Sequence, residues 1–430
     1  MIALSLFVGI ANANAQEKKT LSLDEAVQLG IQNSKNLKID AAKIEEATAD
    51  LLEAKNRQLP ELKVSGSYMY LPIKPNVDIK LPGVSGAGGP EVHQVAYGSA
   101  NLSVPIYSGG RIKYGIQSAK YLVEASKLST ENDKIAIAYN VAQAYNNLFK
   151  ANQSIKVFEE NLAASQKRDE TFLKMENNGL IARNDRLKAN LQTSNIELQL
   201  LEAKNNYNIA NINMDLLLGL PETTELTVDE NYIEEGSDVK PVDFYVTEAR
   251  ENRKDLQALA QQRKAAELGS KAAKAENLPS IAFTGGYVAA DIPKFLTVYN
   301  AINVGIGVSY NLSNLWKENS SLRQSQAREK QLAATDELLN DNIKLDVNRE
   351  YQNTDYSKKR IAVFEKSAEQ ANENYRITKN KYDNGLATMT ELLDADAAQI
   401  AANVGVINAK ADAALAYRKL LQTTGTLTIK

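Results

Sequence analysis

Long stretches of the chain repeat apolar residues at alternating three- and four-residue spacings, which is the pattern of an α-helix. Six of these stretches contain no proline: Leu23–Gln58, Arg111–Asn177, Ala182–Leu218, Phe244–Asn277, Lys317–Asn384 and Thr388–Thr423. At a rise of 1.5 Å per residue, the longest of them would extend roughly 100 Å as a helix. Globular proteins rarely contain helices of that length, whereas coiled-coil-like assemblies do.

The longest stretch carries two apolar stripes side by side rather than one. The first stripe is Ile135, Ala138, Ala142, Tyr145 and Phe149, and the second is Ile137, Val141, Ala144, Leu148, Ala151, Ile155 and Phe158. Two adjacent stripes indicate a helix with neighbours on both sides, as in a sheet or a tube of helices. A solitary helical bundle with a thick core is the alternative.

Four shorter segments alternate apolar and polar residues, which predicts β-strands. They are Leu62–Leu71, Val95–Ile106, Ile281–Ala289 and Ala301–Leu312, and Pro72–Gly98 and Asp291–Asn300 are predicted as the connecting loops. Each segment has about the length of a membrane-spanning strand, roughly 9–11 residues. The apolar face of such strands would meet lipid, and the small polar face would line a lumen.

Four strands are too few to close a barrel, and open strand edges are not tolerated in hydrocarbon. If these strands cross a membrane, several chains must therefore share one barrel. Oligomerisation follows from the backbone alone.

The chain also contains the same pattern twice. Ser103–Gly219 aligns without a gap on Ser309–Gly425, at an offset of 206 residues. The region upstream repeats at an offset of 219 residues, so that Leu37 matches Leu256. One longer loop after Tyr70 accounts for the difference between the offsets. The predicted fold class is therefore an internally duplicated α+β membrane protein, with long helical hairpins and four strands per chain.

The duplication predicts five segments. These are a signal peptide (1–15), a first repeat (16–219), an acidic, solvated linker or equatorial segment (220–243), a second repeat (244–425) and a short tail (426–430). The signal peptide is predicted from the apolar run Ile2–Ala11 and the small-residue cleavage site that follows it. An ordinary buried N-terminal segment is the alternative for these residues.

Composition excludes several classes of function. The formal net charge is −3, which does not favour nucleic acid as a partner. The chain has no cysteine and a single histidine, His93, so no catalytic residue, metal site or cofactor is predicted. No stretch of about 20 apolar residues predicts a transmembrane helix. No phosphate-binding loop is present, so energy for transport would have to come from a partner.

The two long helical hairpins turn at matching glycines. Gly179-Leu180 and Gly385-Leu386 occupy equivalent places in the two repeats, and glycine allows the left-handed conformation that reverses a helix. Asp185 in the first returning helix aligns with Glu391 in the second. Asp394 lies one turn beyond Glu391 on the same helix face.

In a symmetric oligomer, Glu391 and Asp394 would form stacked rings of like charge, which suit a cation-selective constriction. The alternative is that these acids, like Asp185, only complement the dipole at a helix N-terminus.

The arrangement resembles the TolC-like family of outer-membrane efflux proteins. The resemblance runs from Leu21 to Gly425 and rests on LSLDEAVQLGIQNSKNL at 21–37, LPELKVSGSYMY at 59–70, NNGLIARND at 177–185 and YDNGLATMTELLDA at 382–395. It implies a homotrimer with a shared twelve-stranded barrel among outer-membrane lipid and a helical tunnel in the periplasm. It also implies two partners, a periplasmic adaptor protein and an inner-membrane pump.

The resemblance also implies roles for single residues. Glu391 and Asp394 match the acidic periplasmic entrance of the family, and Tyr382 and Asp185 match positions that help to tie the tunnel closed. Gly179, Leu180, Gly385 and Leu386 match the tips that meet the adaptor. Some members carry arginine where this chain has Ala387, so a closing salt bridge built on that arginine is not expected here.

The sequence thus predicts a passive exit duct of a tripartite efflux or type I secretion system, opened by an iris-like movement of the helix tips. An exported helical scaffold or a periplasmic adaptor protein is the alternative. An enzyme is the weakest hypothesis, because no carboxylate pair has a plausible pocket.

Overall fold

The computed structural model describes residues 18–73, 92–229, 232–233, 239–293 and 296–428. Long helices and short strands alternate along these residues. In chain order the elements are β1 Lys18–Leu21, α1 Leu23–Asn33, α2 Lys35–Asn56, β2 Glu61–Tyr70, β3 Gln94–Tyr107, α3 Arg111–Asn177, α4 Arg183–Leu218, β4 Glu225–Val228, α5 Val242–Asn252, α6 Lys254–Ala275, β5 Ser280–Ile292, β6 Leu296–Ser309, α7 Ser320–Asp383 and α8 Met389–Thr424. The predicted signal peptide lies outside the described residues.

Three pairs of helices reproduce the duplication residue for residue. Helices α1 and α5 each have 11 residues, α2 and α6 each have 22, and α4 and α8 each have 36. In each of these pairs both ends match at the offset seen in the sequence. Helices α4 and α8 also end alike, at Gly219 and Gly425, both in the left-handed conformation. The prediction of an internally duplicated fold with long helical hairpins is confirmed.

The chain divides into two compact units, and the smaller one consists of Ala42–Lys127 and Gln257–Glu337. It contains an antiparallel four-stranded sheet in the order β2-β3-β5-β6, with segments of α2, α3, α6 and α7. Strands β2 and β6 are the two edges. Within the helical part, Arg263 and Asp336 form an ion pair with Nη1 and Oδ2 2.9 Å apart.

One face of the sheet is apolar and the other is polar. The register places Val64 opposite Ala100, and Phe283 opposite Ile306, all on the apolar face. This face remains exposed in the single chain: Val64 is 78% exposed and Ile306 is 70% exposed. The opposite face carries small polar side chains, among them Ser65 and Ser99, whose hydroxyls are hydrogen-bonded at 2.9 Å.

The larger unit consists of Met1–Ala41, Leu128–Leu256 and Leu338–Lys430. It contains α1, α4, α5, α8 and the remaining parts of α2, α3, α6 and α7. Strands β1 and β4 form a separate parallel pair in this unit.

The main core of the larger unit includes Leu21, Tyr145, Leu148, Met214 and Leu226. The buried Tyr145 hydroxyl donates a hydrogen bond to the Leu21 carbonyl oxygen and accepts one from the Asp229 N–H, both at 2.8 Å. One side chain of α3 therefore holds the ends of both short strands.

Two predicted helices are interrupted. The predicted helix Leu23–Gln58 divides at Ser34, and the predicted helix Phe244–Asn277 divides at the equivalent Arg253; both residues have extended ψ angles near +120°. No proline or glycine marks either break, which is why the periodicity was continuous across them. Among the described residues, no helix is long and apolar enough to cross a membrane.

The sequence predicted a solvated linker at 220–243, but the structure shows that part of this acidic segment is buried. Within its described part, β4 pairs with β1 and buries Leu226 and Val228, and Tyr232 also lies in the core. Leu226, Val228 and Tyr232 are the fully buried apolar residues of this described part, and the surrounding acids obscured them. Glu230, Glu234, Glu235 and Asp238 lie outside the described residues.

The predicted loop Asp291–Asn300 is also wrong, because β5 continues to Ile292 and β6 already begins at Leu296. The ladder between them contains a bulge near Ala289, and Asn300 adopts a positive φ of 57°. A bulge shifts the two-residue alternation by one position, so the pattern resembled a loop. Most of the other predicted loop, Pro72–Gly98, lies outside the described residues, although β3 already begins at Gln94.

Tyr145→Phe is expected to lower the free energy of unfolding by about 1–3 kcal/mol, because the Leu21 carbonyl and the Asp229 N–H would lose their buried partner. The repeat offers a matched control in Tyr351→Phe, since Tyr351 is the aligned residue and no hydrogen bond of its hydroxyl is seen among the described residues. Thermal unfolding of the two variants, followed by circular dichroism, checks the difference. Equal losses in both variants would contradict the role of the Tyr145 hydroxyl.

Candidate functional site at the helix tips

Both helical hairpins reverse through the same backbone motif. Gly179 and Gly385 have φ angles of 72° and 73°, in the left-handed region. The N–H of Leu180 donates to the Met175 carbonyl oxygen at 2.9 Å, and the N–H of Leu386 donates to the Lys381 carbonyl oxygen at 2.8 Å. These are the hydrogen bonds of a Schellman motif, which ends a helix with a glycine. The prediction that each glycine forms a hairpin tip is therefore supported by the geometry.

The leucine after each tip glycine points away from the chain's own core. Leu180 is 70% exposed and Leu386 is 78% exposed. Next to the first tip, Arg186 and Glu176 form an ion pair that joins α4 to the end of α3. The tips thus combine a hydrogen-bonded backbone turn with exposed apolar side chains.

The two returning helices begin differently. Helix α8 has a capping box, in which the Glu391 N–H donates to the Thr388 hydroxyl and the Thr388 N–H donates to the Glu391 carboxylate at 2.7 Å. The backbone N–H and the hydroxyl of Thr388 hold the pKa of Glu391 below its usual value. Helix α4 has Ala182 at the equivalent position and no side-chain cap.

The other two predicted acids are placed differently from Glu391. Asp185 is half-buried, and its carboxylate lies 3.5 Å from the Lys188 ammonium group. Asp394 is exposed, and no hydrogen bond or ion pair of its side chain is seen among the described residues. Glu391 therefore has a structural role as a cap, whereas Asp394 has none that the single chain reveals.

A small apolar cluster joins the two tips to each other. Phe172 and Ala189 from the first hairpin pack with Met389 and Leu392 from the second. The Tyr382 ring contacts the Phe172 ring edge-on, with centroids 5.8 Å apart. Burial, together with the nearby carboxylates of Asp185 and Asp383, raises the pKa of Tyr382. The Asp185 carboxylate therefore lies close enough to the Tyr382 hydroxyl to affect its ionisation.

The sequence analysis missed a buried polar network formed by Arg168, Tyr375 and Asp396 in the same two hairpins. The Arg168 guanidinium binds the Asp396 carboxylate through two hydrogen bonds, of 2.7 and 3.2 Å, and donates a third to the Tyr375 hydroxyl at 2.8 Å. The side chain of Asp396 is only 5% exposed. Burial raises the pKa of the Tyr375 hydroxyl. The network ties α3 of the first repeat to α7 and α8 of the second.

No sequence signal pointed to this network. Arg168 lies more than 200 residues before Tyr375 and Asp396, and the repeat does not copy the network, because Arg168 and Asp396 align with Asn374 and Asn190.

The described residues offer acids, amides and apolar groups at the tips, but no catalytic constellation. No group of three or more His, Cys, Asp or Glu residues among them lies close enough to hold a metal ion. His93 lies beside β3, and its carbonyl accepts a hydrogen bond from the Leu71 N–H. The arrangement can attract cations and bind apolar surfaces.

A sequence profile of the family described as outer membrane efflux protein matches residues 26–220 and 245–426. The two matched segments correspond closely to the two repeats. No match was found among curated protein sequences.

Several solved structures share the fold. A membrane protein from Pseudomonas aeruginosa has a TM-score of 0.81 and 17% identity, over 94% of this chain and 90% of its own. The outer-membrane channel OprN has a TM-score of 0.77 and 18% identity, over 94% and 89% of the two chains. The outer membrane protein VceC from Vibrio cholerae has a TM-score of 0.76 and 17% identity, over 94% and 96%.

Arg168→Met should lower the free energy of unfolding by about 3–5 kcal/mol, since it leaves the buried Asp396 carboxylate without its cation. The double variant Arg168→Met with Asp396→Leu should recover much of that loss. Thermal unfolding and limited proteolysis near the tips measure both effects.

A matched control is Lys410→Met, which removes the exposed ion pair between Lys410 and Glu365, 2.7 Å apart. Exposed pairs contribute about 0–1 kcal/mol, so this variant should be nearly as stable as the unmodified protein. If Arg168→Met were no more damaging than the control, the network would not hold the hairpins together.

Proposed function

The chain belongs to the outer membrane efflux protein family, and we propose that it forms the exit duct of a tripartite efflux or type I secretion system as a passive homotrimeric channel. Proteins of this family are outer-membrane channels and not enzymes, so the chain is a transport protein of the outer membrane with its helices in the periplasm. The trimer, the gate and the partners are the parts that we propose.

The sheet is the single observation that carries the proposal. Its apolar face is most exposed along the two edge strands, β2 and β6, where Val64 is 78% and Ile306 is 70% exposed, and these edges have no strand partner among the described residues. Water could hydrate these edges, but hydrocarbon could not. Three copies placed edge to edge would complete a twelve-stranded barrel, with the apolar face toward lipid and the serine- and asparagine-bearing face toward the lumen.

Helix α4 supports the same assembly in the larger unit. Seven of its exposed residues fall within one narrow stripe at helical spacing: Leu187, Leu191, Leu198, Leu201, Ile209, Ile212 and Leu216. A stripe of this kind normally packs against another helix. Helix α7 exposes a similar stripe, which includes Tyr356 and Val363.

The second repeat shows how the α4 stripe would be covered. In α8 the aligned residues Val404 and Ile407 are half-buried, and Ile407 packs against the core cluster to which α3 contributes. Lys150 and Asp412 connect α3 and α8 at 2.9 Å. By analogy, α4 would pack against α7 of the next copy, since α7 is the repeat of α3.

We place the gate at the tips. The rings formed by Glu391 and Asp394 would narrow the periplasmic entrance, and contacts near Tyr382 and Asp185 would hold neighbouring hairpins together. An adaptor protein would dock on the tips at Gly179, Leu180, Gly385 and Leu386, where two leucines are exposed on a hydrogen-bonded turn. Outward movement of the tips would open the entrance like an iris, with energy from an inner-membrane pump.

The alternative of an exported scaffold or an adaptor protein does not explain the exposed apolar face of the sheet. A water-soluble scaffold would be expected to cover such a face.

The first test is single-channel conductance of the purified protein in planar bilayers, with its oligomeric mass measured in parallel. We expect a trimer with small, cation-selective currents. Asp394→Asn should weaken the preference for cations, because one carboxylate ring is neutralised, and Glu391→Gln with Asp394→Asn should weaken it further.

Asp394→Glu keeps the charge and is the matched control, so its selectivity should remain that of the unmodified channel. A conducting trimer with unchanged selectivity in the neutralised variants would refute the constriction assignment but leave the duct intact. A protein that never conducts would refute the duct.

Leu198→Glu should reduce the fraction of trimer in detergent, because it introduces a charge into the middle of the α4 stripe. Gln199→Glu adds the same charge at an exposed position outside the stripe and should leave the trimer intact. Size-exclusion chromatography with light scattering compares the two. Equal effects would argue against α4 as a subunit contact.

A further inference from the structure

We propose the register in which the edge strands of neighbouring subunits pair: β6 of one copy lies antiparallel to β2 of the next, with Ser309 opposite Ser65 of the partner subunit. The occupant of each sheet edge is therefore a second copy of this chain. The inference rests on the proposed oligomeric channel and adds the register of strand pairing, which the exposed edges alone do not specify.

The first argument is that the duplication extends to hydrogen-bonding register. Within the first repeat, Glu61 of β2 lies opposite Ser103 of β3. The aligned residues in the second repeat are Ser280 and Ser309, and these lie opposite each other in the β5–β6 ladder. Val64 and Ala100 likewise correspond to Phe283 and Ile306, which are also opposite each other. Aligned residues thus make aligned pairs.

The second argument concerns the junction between the repeats. Strand β3, the last of the first repeat, pairs with β5, the first of the second repeat. In a closed ring the corresponding junction joins β6, the last strand of the four-stranded sheet in one copy, to β2, the first strand of that sheet in the next copy. The β3–β5 ladder is therefore the template for the contact between subunits.

The template determines the pairs. Ser103 lies opposite Thr284, and these residues align with Ser309 and Ser65. Leu102 lies opposite Gly285, and these align with Val308 and Gly66.

Two further template pairs extend the same register. Ala100 lies opposite Tyr287, and Gly98 lies opposite Ala289. Their aligned positions set Ile306 opposite Tyr68 of the partner subunit, and Val304 opposite Tyr70 of the partner subunit.

The resulting register is chemically consistent, although the faces were not used to derive it. Ile306 and Tyr68 both lie on the apolar face of the sheet, whereas Ser309 and Ser65 both lie on the polar face. A shift by one residue would turn every apolar side chain of one strand to the wrong face. A shift by two residues would keep the apolar side chains of both strands on the same face, but it would not match the β3–β5 template. The experiment must therefore distinguish the proposed register from registers shifted by two residues.

Strand β6 also has room to extend in this register. It ends at Ser309, whereas its equivalent, β3, continues to Tyr107, beyond the residue aligned with Ser309. Tyr310 would lie opposite Val64 of the partner subunit, on the apolar face. We therefore expect Tyr310 and Asn311 to join the ladder in the assembled protein.

Disulfide cross-linking tests the register directly, because the chain contains no cysteine of its own. Residues opposite each other in an antiparallel ladder have Cα atoms about 4.5–5.5 Å apart, within the range that a disulfide bridges. Diagonal neighbours are about 7–8 Å apart, outside that range. Ladder pairs alternate between two geometries, so one matched pair of each kind is required.

The matched double variants are Ser65→Cys with Ser309→Cys, and Gly66→Cys with Val308→Cys. The mismatched controls are Ser67→Cys with Ser309→Cys, and Tyr68→Cys with Val308→Cys, each displaced by two residues. All four are expressed as full-length protein, oxidised in detergent and separated by denaturing electrophoresis without reductant. Single-cysteine variants reveal any pairing of like edges, and conductance is recorded for each variant.

We expect cross-linked dimers and trimers for at least one matched pair, several-fold more abundant than for either mismatched pair, and their loss after reduction. Preferential linking of a mismatched pair would overturn the register while leaving the channel intact. A conducting trimer without any link would show that these edges do not pair as proposed. A non-conducting monomer would instead refute the proposed function itself.

Discussion

The backbone hydrogen bonds at the two sheet edges are the constraint on which this protein depends. A four-stranded sheet satisfies its interior N–H and C=O groups, but β2 and β6 each present a row of groups to the outside. In hydrocarbon each unsatisfied group costs several kcal/mol, so a membrane-exposed edge cannot be left open. The apolar face of the sheet, on which Val304 is 75% exposed, favours a hydrocarbon environment over water. A single chain therefore leaves the backbone groups at both sheet edges without a strand partner among the described residues.

The internal duplication offers a way to pair these two sheet edges. A chain whose repeats pair strand to strand already contains a junction between the end of one repeat and the start of the next. A closed ring uses that junction both within chains and between them. The copying has limits, however. Arg168 and Asp396 form a buried ion pair within the chain, whereas the aligned positions hold Asn374 and Asn190. In the proposed ring, the helix junction between subunits would therefore lack the ion pair that holds the junction within the chain.

Features fixed by local physics were predictable from the sequence. Gly179 and Gly385 were identified as hairpin tips because a helix reversal needs a positive φ, and the aligned ends of α4 and α8 followed from the repeat. Features that depend on distant partners were not predictable. Strand β4 forms because Leu226 enters a core built by other segments, and the Arg168 network joins helices that are remote in sequence. The start of β6 was missed for a different reason. The bulge near Ala289 breaks the two-residue alternation on which strand prediction relies.

Glu391 shows why a structural role and a functional role need not exclude each other. Its carboxylate accepts hydrogen bonds from the Thr388 N–H and hydroxyl, which favour the ionised form and fix the side chain at the start of α8. A ring of charge at a constriction requires both properties, namely ionisation at neutral pH and a defined position. No such hydrogen bond to Asp394 is seen among the described residues, and in the proposed constriction its carboxylate would respond to ions one turn further along. The capping box would then fix the position of the Glu391 ring in a two-layer entrance. The first repeat could not hold Asp185 in the same way, because Ala182, which aligns with Thr388, has no hydroxyl with which to form a capping box.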